Sequence, residues 1–412
     1  MFVRRKTTNS HMTSSFDSII CVGQTTWEGD FQKAVVQLMC ELSVRHRVLY
    51  VDYQHTVKDV IMGALGRQKD VPVRSVARLT NPLITKSGKD GSVVYVWQPP
   101  VMLPINFLPA GLHDKLLPLN VDRLVAGLRG VMAQLGFKKP LIVNGMHPTL
   151  GLAMLGKLNE AATIYYCFDE ITLSEWMSKH GGRHEPEYLR RVSAVVTTSE
   201  PLRQTKAVLQ PNAHCVKNGV NFPLFNQVRS LIEQRPETRP VVGYLGTADN
   251  RLNVDILEHC AKTMPDVLFQ FIGEVKEPAI TRRLGTLPNV LFTPPQQPAD
   301  LPPLLAGLSA AMIPFVCNPH TYTIYPLKIN EYLAGGLPVV STPFSLLDDF
   351  AGIVDLADTP EAFAAALRRA LTDQDPDRIE ARVAMARANS WAHRAEEFEA
   401  IFDTLSTDPQ RT

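Results

Sequence analysis

The most specific segment of the sequence places two charged side chains three residues apart, between a proline and a pair of glycines. Lys328 and Glu331 share one helical face in the run Tyr-Pro-Leu-Lys-Ile-Asn-Glu-Tyr-Leu-Ala-Gly-Gly-Leu-Pro. Pro326 suits the start of a helix, and Gly335 and Gly336 suit its end. A helix N-terminus with a lysine suits a diphosphate, and a carboxylate one turn later can accept two hydrogen bonds from a ribose diol. The alternative is a surface ion pair worth roughly a few tenths of a kcal/mol.

A second and weaker signal lies earlier in the same half of the chain. A predicted strand ends at Gly246, and a helix is predicted to begin near Asn253. Glycine lets the backbone approach a ligand closely, and Arg251 can reach a phosphate. The alternatives are a tight turn and a solvated arginine. The sequence contains neither GxGxxG nor GxxxxGK[ST], so the usual dinucleotide fingerprint and the P-loop are both absent.

The elements that must position these residues are short β-branched runs alternating with helix-length segments, which indicates repeated βαβ units. Strands are predicted at Ile19–Gly23, Val48–Asp52, Val93–Gln98, Leu141–Asn144, Thr163–Phe168, Ala194–Thr198, Cys215–Lys217, Val241–Leu245, Val267–Ile272, Val290–Thr293, Ala310–Ile313 and Val339–Ser341. The fold class is therefore α/β, with two Rossmann-like, doubly wound domains facing a cleft. Helices are expected at Phe31–Ser43, Val121–Leu135, Asn253–Thr263, Ala299–Ala306, Pro326–Ala334, Pro360–Leu371, Ile379–Ala388 and Trp391–Leu405.

Four segments follow from this pattern. They are a flexible N-terminal segment (1–16), a first domain that binds the acceptor (17–220), a second domain that binds the nucleotide (221–390), and a C-terminal helix and tail (391–412). The C-terminal helices are too long for one βαβ unit, so part of them packs along the outside or crosses back to the first domain.

The amino-acid composition limits which classes of protein are possible. The 412 residues are 45% hydrophobic and 20% charged with a formal net charge of +1, which suits a globular protein of two or three domains. No apolar run reaches the ~18 residues of a membrane span, and no export signal is recognisable, so a cytoplasmic protein is expected. The six cysteines form no CxxC pair, which indicates reduced thiols and argues against a zinc site.

Charge is divided unevenly along the chain. Residues 1–220 contain 26 Lys and Arg against 17 Asp and Glu, whereas residues 221–412 contain 16 against 24. A basic first half suggests contact with an anionic surface, such as phospholipid headgroups or a lipid diphosphate. The alternative is a solvated face without a partner. Nucleic acid is not expected, because no block of consecutive Lys and Arg with interleaved aromatics occurs.

With these residues in place, the chain resembles the GT-B fold glycosyltransferases over residues 17–405. The resemblance is to the retaining, family-four-like bacterial group that includes teichuronic acid and exopolysaccharide enzymes. Its strongest element is the run from Pro326 to Val340. Four shorter segments support it: Tyr165–Glu170, Thr198–Leu202, Lys217–Asn221 and Trp391.

The resemblance implies a nucleotide-sugar donor, UDP- or GDP-linked, with neither a metal nor a further cofactor. Glu331 would hold the ribose, Lys328 and Arg251 would neutralise the diphosphate beside Gly246, and the leaving group would be stabilised in this way. Many relatives carry a second glutamate eight residues before the ribose-binding one. Here that position is Thr323. It is assigned to the donor site, but the identity of the donor sugar is left undetermined.

The resemblance also directs attention to strand ends of the first domain. A histidine lies near the transferred sugar in related retaining enzymes, and His147 is the positional match, with a capping or packing role as the alternative. Asp169 would be a general base in an inverting enzyme, and Glu170 would contact the acceptor, although a carboxylate at a strand end often caps a helix. Trp27 and Asp30 are the remaining acceptor candidates, since an aromatic can stack on a sugar; simple packing is the alternative.

Three functions follow from these observations. The first is a glycosyltransferase, retaining and metal-independent, with His147, Asp169 and Glu331 as catalytic residues. Its acceptor would be a polysaccharide or a lipid-linked glycan, reached through peripheral contact with anionic lipid at the inner face of the plasma membrane. The second is a nucleotide-sugar-binding scaffold without turnover. The third is a nucleotide-sugar epimerase of the same fold.

Overall fold

The computed structural model describes residues 16–29, 33–68, 71, 73, 82–173, 175–233 and 239–405. These residues form two α/β domains in tandem, each built on a mainly parallel sheet, so the predicted fold class is confirmed. Asp30 and the first fifteen residues of the predicted N-terminal segment lie outside the described residues.

The first sheet has eight strands in the order β3-β4-β2-β1-β5-β6-β7-β8. They are β1 (Ile19–Val22), β2 (Val48–Val51), β3 (Leu83–Ser87), β4 (Val93–Trp97), β5 (Leu141–Gly145), β6 (Ala162–Cys167), β7 (Ala194–Thr197) and β8 (Ala213–Cys215). Strand β1 pairs with β2 on one side and β5 on the other, so the connections leave it in opposite directions. Such a topological switch point is where open parallel sheets bind ligands.

Among the residues that the structure describes, six helices with defined bounds cover this sheet. They are α1 (Ala34–Leu42), α2 (Val57–Ala64), α3 (Ala110–Leu135), α4 (Pro148–Met154), α5 (Glu175–Arg191) and α6 (Glu200–Ala207). Helix α3 begins at Ala110 rather than at the predicted Val121, because it continues through Pro118. The sequence pattern also missed β3, an antiparallel edge strand whose residues are half-buried or exposed and therefore form no apolar run.

The second sheet has six strands, all parallel, in the order β11-β10-β9-β12-β13-β14. They are β9 (Val241–Leu245), β10 (Leu268–Ile272), β11 (Val290–Thr293), β12 (Ala310–Ile313), β13 (Val339–Ser341) and β14 (Asp355–Leu356). The switch point of this sheet lies between β9 and β12. The helices that precede and cover it are α7 (Phe222–Phe225), α8 (Gln227–Ile232), α9 (Val254–Thr263), α10 (Pro278–Leu284), α11 (Leu301–Ala306), α12 (Pro319–Tyr322), α13 (Leu327–Ala334), α14 (Pro360–Leu371) and α15 (Pro376–Ala388).

The last helix, α16 (Trp391–Leu405), crosses back to the first domain. Its residues Phe398 and Phe402 belong to the same buried cluster as β1 and β2, and the Phe398 ring packs edge-on against Tyr166 at 5.9 Å. On its polar side, Glu399 forms an ion pair with Arg45 at 2.6 Å. Of the two courses expected for the C-terminal helices, the chain therefore takes the second, which ties its end to the first sheet. Within the described parts of the chain, no helix combines the length and apolar character needed to span a bilayer.

Candidate active site

Helix α13 begins at the boundary between the two domains. The residues just before it contact the first domain through backbone carbonyls: Ser199 Oγ donates to the Thr323 oxygen at 2.5 Å, and Asn218 Nδ2 donates to the Tyr325 oxygen at 3.1 Å. Pro326 occupies the N-cap position and has no capping side chain. The first-turn amides of the helix are therefore not capped from that position and lie beside the interdomain boundary.

Two residues inside the same helix bind it to the neighbouring strand and segment. Tyr332 accepts a hydrogen bond at 2.6 Å from the backbone N–H of Leu245, the last residue of β9. Asn330 is fully buried and donates to the Tyr325 hydroxyl at 3.3 Å. These bonds hold α13 against the carboxyl end of β9, because each satisfies a buried polar group that has no access to water.

Lys328 does not form the surface ion pair that was the alternative interpretation of the motif. Its Nζ donates to the Tyr244 hydroxyl at 2.8 Å and lies 5.1 Å from the Phe315 ring centroid. Burial lowers the pKa of Lys328 to about 7, and the nearby charge of Arg251 acts in the same direction. The side chain is therefore an amine close to its protonation midpoint at neutral pH.

Glu331 lies one turn further along α13 and is partly exposed. Burial raises the pKa of this carboxyl to about 7, and the charge of Lys328 only partly offsets that effect. Within the described residues the carboxylate has neither a hydrogen bond nor an ion pair. It is thus available to a ligand. Lys328 and Glu331 also lie close enough for the charge of each to affect the pKa of the other.

Two glycines open the space in front of Lys328. Gly246 follows β9 with φ of +120°, and Gly273 follows β10 with φ of +142°, values that residues with a Cβ rarely adopt. A Cβ on Gly273 would lie 2.4 Å from the Gly246 carbonyl oxygen, and a Cβ on Gly246 would lie 3.0 Å from Lys328 Nζ. The switch point of the second sheet is therefore lined by bare backbone with an amine directly above it.

Arg251 reaches the same region but is already paired. Its Nε and Nη2 donate to the two carboxylate oxygens of Asp249 at 2.8 and 2.7 Å. The guanidinium carbon lies 5.5 Å from the Phe315 ring centroid, so Phe315 contacts both cations. A diphosphate would have to share Arg251 with Asp249. Thr323, the other predicted donor residue, uses its hydroxyl to donate to the His320 carbonyl at 2.8 Å.

Asp169 faces the second domain from the end of β6. Burial raises the pKa of this carboxyl above its usual value, although the charges of His320 and Arg251 in the second domain act in the opposite direction. Asp169 is therefore within electrostatic range of these two residues of the second domain. Its Oδ1 accepts from the Glu170 N–H at 2.9 Å, which shapes the loop that continues to Ile171.

Glu170 is held by a buried charge network. Lys206, which is 3% exposed, donates to Glu170 at 2.9 Å and to Glu185 at 2.8 Å. Glu185 in turn accepts from the Tyr165 hydroxyl at 2.9 Å. Burial favours the neutral acid, yet the Lys206 charge outweighs it and lowers the pKa of Glu170. The structure thus joins Glu170 to the protein interior, and its acceptor role stays a prediction.

Trp27 packs at the carboxyl end of β2. Its ring meets Tyr50 edge-on with centroids 5.3 Å apart, and its backbone N–H donates to Asp52 at 2.8 Å. These contacts agree with the packing role that was considered for this aromatic. Stacking on an acceptor sugar stays a prediction.

His147 follows β5 and lines a cavity of about 620 Å³ in the first domain. Its Nδ1 accepts from the Leu150 N–H at 3.4 Å, so the imidazole caps α4. Burial lowers the pKa of His147 to about 4, and an imidazole that is neutral and accepts at Nδ1 carries its proton on Nε2. The preceding Met146 is buried with φ of +56°, a strained conformation that sets the direction of the histidine.

The sequence interpretation missed three further histidines beside this cavity. His113 stacks on His180 with centroids 3.7 Å apart, and His184 bonds to Thr149 at 3.1 Å. Arg183 joins two of them, since its Nη2 donates to His113 Nδ1 at 3.2 Å and to His180 Nδ1 at 3.1 Å. The spacing of His180 and His184 on one face of α5 was the available signal, but only the fold brings His113 to them. Among the described residues, no group of three or more His, Cys, Asp or Glu side chains has an arrangement that could hold a metal ion.

Comparison with known proteins agrees with this geometry. Residues 239–373 match the model of the family described as glycosyl transferases group 1, and this range contains the second sheet. TuaH of Bacillus subtilis (strain 168), whose name assigns it as a glycosyltransferase of teichuronic acid biosynthesis, is 27% identical over 181 residues. That match covers 41% of this chain and 45% of TuaH, so it spans less than half the length of this curated relative.

Two solved structures are similar over nearly the whole chain. An α,α-trehalose-phosphate synthase (UDP-forming) from Burkholderia xenovorans, in complex with glucose-6-phosphate, gives a TM-score of 0.63 at 11% identity and covers 94% of this chain and 100% of that one. HepE of Anabaena, in complex with UDP, gives a TM-score of 0.61 at 15% identity with the same coverage. At these identities the likeness concerns the fold. The chain therefore has the GT-B fold, and residues 239–373 are similar to the group 1 glycosyl transferases.

Proposed function

We propose that the protein transfers a sugar from a nucleotide sugar to an acceptor hydroxyl. The observation that carries this proposal is the convergence at the second switch point of three features: the Lys328 amine above Gly246, the uncapped start of α13, and the unpaired Glu331 carboxylate. Positive charge and backbone amides suit a diphosphate, and a free carboxylate suits a ribose diol. HepE, which has a similar fold, is in complex with UDP, and this supports a nucleotide as a ligand of the present chain.

The proposed reaction breaks the bond between the anomeric carbon and the diphosphate. The acceptor oxygen forms a new bond to that carbon, and the hydroxyl proton leaves with the nucleoside diphosphate. Negative charge grows on the diphosphate as the bond breaks, and Lys328, Arg251 and the first turn of α13 stabilise it. Arg251 is already paired with Asp249, so Lys328 is proposed to contribute more than Arg251 to stabilising the diphosphate charge. The reaction as proposed uses neither a metal nor a further cofactor, because Lys328 and Arg251 are proposed to neutralise the diphosphate.

We further propose a UDP- or GDP-linked donor and transfer with retention of anomeric configuration, on the basis of the resemblance to family-four-like enzymes. His147, neutral with its proton on Nε2, suits a hydrogen-bond donor to the transferred sugar or the acceptor rather than a base. Asp169 would then position the acceptor beside the donor domain. Under the inverting alternative, the same carboxylate would take the acceptor proton.

The acceptor is proposed to be a polysaccharide or a lipid-linked glycan, as the name of TuaH suggests for that relative. The basic first half of the chain supports peripheral contact with anionic lipid at the inner face of the plasma membrane, with the protein itself in the cytoplasm. Sedimentation with vesicles of phosphatidylglycerol tests this contact. Binding that weakens with salt is expected, and equal binding to neutral vesicles would contradict it.

The activity is tested by incubating the purified chain with UDP- and GDP-sugars and a panel of glycosides, and by measuring the nucleoside diphosphate released. Glu331→Ala and Lys328→Ala are expected to abolish release, whereas the matched surface ion pair Lys262 and Glu258, at 2.8 Å on α9, provides neutral control substitutions. Donor binding without release would favour the scaffold. Interconversion of sugars without an acceptor would favour the epimerase.

A further inference from the structure

The Lys328 amine has a single hydrogen-bond acceptor among the residues that the structure describes. That acceptor is the hydroxyl of Tyr244, at 2.8 Å, and Tyr244 is the last residue but one of β9. Tyr244 is fully buried, whereas Lys328 is partly exposed. An ammonium group has three N–H donors, so two of them remain for a ligand after the tyrosine has taken one.

The Tyr244 hydroxyl can only accept a hydrogen bond from the amine. Its own proton is donated to the Thr247 carbonyl at 3.0 Å, and burial raises the pKa of Tyr244, so the hydroxyl keeps that proton at neutral pH. The oxygen therefore offers Lys328 a lone pair but no donor. A neutral amine has a lone pair of its own that needs a donor, whereas an ammonium group has none. The contact thus favours the protonated form of Lys328.

Two aromatic rings add to the same preference. Lys328 Nζ lies 4.2 Å from the centroid of the Tyr244 ring and 5.1 Å from that of Phe315. Ring faces at this range attract a cation. Phe315 is itself fixed, since it is buried, bridges to the backbone of Leu252 and packs on the Phe344 ring with centroids 4.8 Å apart. The rings therefore also limit where the amine can lie.

The charged groups around Lys328 act on it without contacting it. Burial and the charge of Arg251 lower the pKa of Lys328 to about 7, whereas Glu331 and Asp249 act in the opposite direction. Asp249 accepts from Arg251 with both carboxylate oxygens. Within the described parts of the chain, no carboxylate is ion-paired with the Lys328 amine. Its direct partner is an uncharged hydroxyl, which holds a cation without repelling an anionic ligand.

We propose that Tyr244 is a positioning residue for the diphosphate of the nucleotide sugar and that it acts through Lys328. Its hydroxyl, with the Phe315 ring beside it, holds the amine in the protonated form and leaves two N–H groups for phosphate oxygens. A carboxylate in place of the tyrosine would also hold the amine, but it would repel the diphosphate. The inference rests on the proposed function, which it deepens by naming a residue that sets the charge of the donor site.

The protonation of Lys328 can be followed by NMR on the full-length chain with isotope-labelled lysine, and the Lys328→Arg spectrum identifies its resonance. Tyr244→Phe is expected to lower the titration midpoint of Lys328 by about one pH unit or more, because a hydrogen bond to a charged group is lost. Tyr188→Phe is the matched control: this fully buried tyrosine lies in the first domain, and its hydroxyl has no partner among the described residues. An unchanged midpoint in the Tyr244→Phe variant would overturn the proposal.

Calorimetric titration distinguishes positioning from a merely structural role. The probe is UDP or GDP, whichever binds the unmodified protein more tightly. In the Tyr244→Phe variant its affinity is expected to fall by about tenfold near pH ~8, and to approach that of the unmodified protein below pH ~6, where the amine is mostly charged in both. An equal loss of affinity at every pH would indicate a structural defect and overturn the proposal.

A second background shows whether Tyr244 acts through the lysine. With Lys328→Arg in place, Tyr244→Phe should leave the pH dependence of binding unchanged, because a guanidinium keeps its charge. A shift of the alkaline limb in that background would also overturn the proposal. If the Tyr244→Phe variant does not fold, Phe315→Leu removes the other ring that faces the amine. It should move the midpoint of Lys328 in the same direction, and an unchanged midpoint would count against the proposal in the same way.

The two measurements separate this inference from the proposed function. A lowered midpoint of Lys328 without binding of either nucleoside diphosphate would support the role of Tyr244 toward Lys328 and reject the proposed function. Binding of a nucleoside diphosphate with an unchanged midpoint in the Tyr244→Phe variant would support the proposed function and reject the inference.

Discussion

The Nζ atom of Lys328 lies directly above the backbone of Gly246, 3.0 Å from the position that a Cβ on that glycine would occupy. The two residues are 82 positions apart in the sequence and meet because α13 packs on the carboxyl end of β9. The contact brings the amine against the backbone at the carboxyl end of β9, the end of a parallel strand at which such sheets bind ligands.

Gly246→Ala is expected to weaken nucleotide-sugar binding by at least about tenfold, because the new methyl group would displace the Lys328 amine. The positive φ also costs about 1–3 kcal/mol of stability. Gly352→Ala is the matched control: it has φ of +75° in the same domain, and nothing lies within 4 Å of its Cβ position. Thermal unfolding and calorimetric titration separate the two effects. Equal affinity losses in both variants would mean that strain, not the contact with Lys328, explains the result.

Nucleotide-sugar affinity should depend on pH in a bell shape centred near pH 7. The pKa of Lys328 without ligand is about 7, so above that pH the amine must take up a proton from solvent as the diphosphate binds, and affinity falls by up to about tenfold per pH unit. The pKa of Glu331 is also about 7, so below that pH the ribose meets a neutral acid instead of a carboxylate.

Two substitutions test which side chain causes the fall in affinity on the alkaline limb and on the acidic limb of the pH profile. Lys328→Arg keeps the charge at all accessible pH values and should remove the alkaline limb, whereas Glu331→Gln should remove the acidic limb. Dissociation constants measured between about pH 6 and about pH 8 provide the check. A flat profile in the unmodified protein, or limbs that persist in these variants, would contradict the assignment.

Asp169→Asn distinguishes the two stereochemical outcomes. If transfer retains configuration and Asp169 only positions the acceptor, the turnover number should fall by less than about tenfold while the acceptor KM rises. If Asp169 is the base of an inverting reaction, turnover should fall by about 10²–10⁴-fold. The anomeric configuration of the product, read by proton NMR, must agree with the kinetic result. A large loss of turnover with a retained configuration would reject both roles.

Lys206→Met is expected to destabilise the protein by about 3–5 kcal/mol, because Glu185 and Glu170 would lose their buried counterion. Adding Glu185→Gln should recover part of that loss, since it removes one uncompensated charge. Denaturant unfolding of the single and double variants measures the difference. Equal stability of the Lys206→Met variant and the unmodified protein would show that the network is not stabilising.

The network of Lys206, Glu170 and Glu185 also predicts how the free energy of unfolding changes at acidic pH. The folded-state pKa of Glu170 is lowered, so its stabilising effect is complete above its ordinary pKa and is lost as the pH falls below that value. In the Lys206→Met variant this part of the acid dependence should disappear. Unfolding free energies measured on both proteins over the acidic range test the prediction, and parallel curves would contradict it.

Several features of the fold were predictable from local patterns. Short β-branched runs identified twelve of the fourteen strands that the described residues contain, although β8 lies two residues before its predicted position. Pro360 and Trp391 were predicted as helix starts, and helices begin at both residues. Strand β3 was not predictable, because Leu83–Ser87 lies on an exposed edge and depends on pairing with β4 instead of on buried side chains. Helix α3 extended through Pro118, where packing of residues such as His113 and Asn120 outweighs a local preference against proline.

The sequence by itself determined that two parallel-sheet domains are present and that Lys328 and Glu331 share a helical face, because both follow from spacings of 2 or 3.6 residues that need no distant contact. Only the tertiary structure decided that Lys328 pairs with Tyr244 rather than Glu331, that Glu170 is committed to Lys206, and that His113 joins the histidines of α5. Those outcomes depend on which buried polar groups meet across the core. Hydrogen-bond satisfaction and desolvation are properties of the packed molecule, and the order of residues along the chain does not contain them.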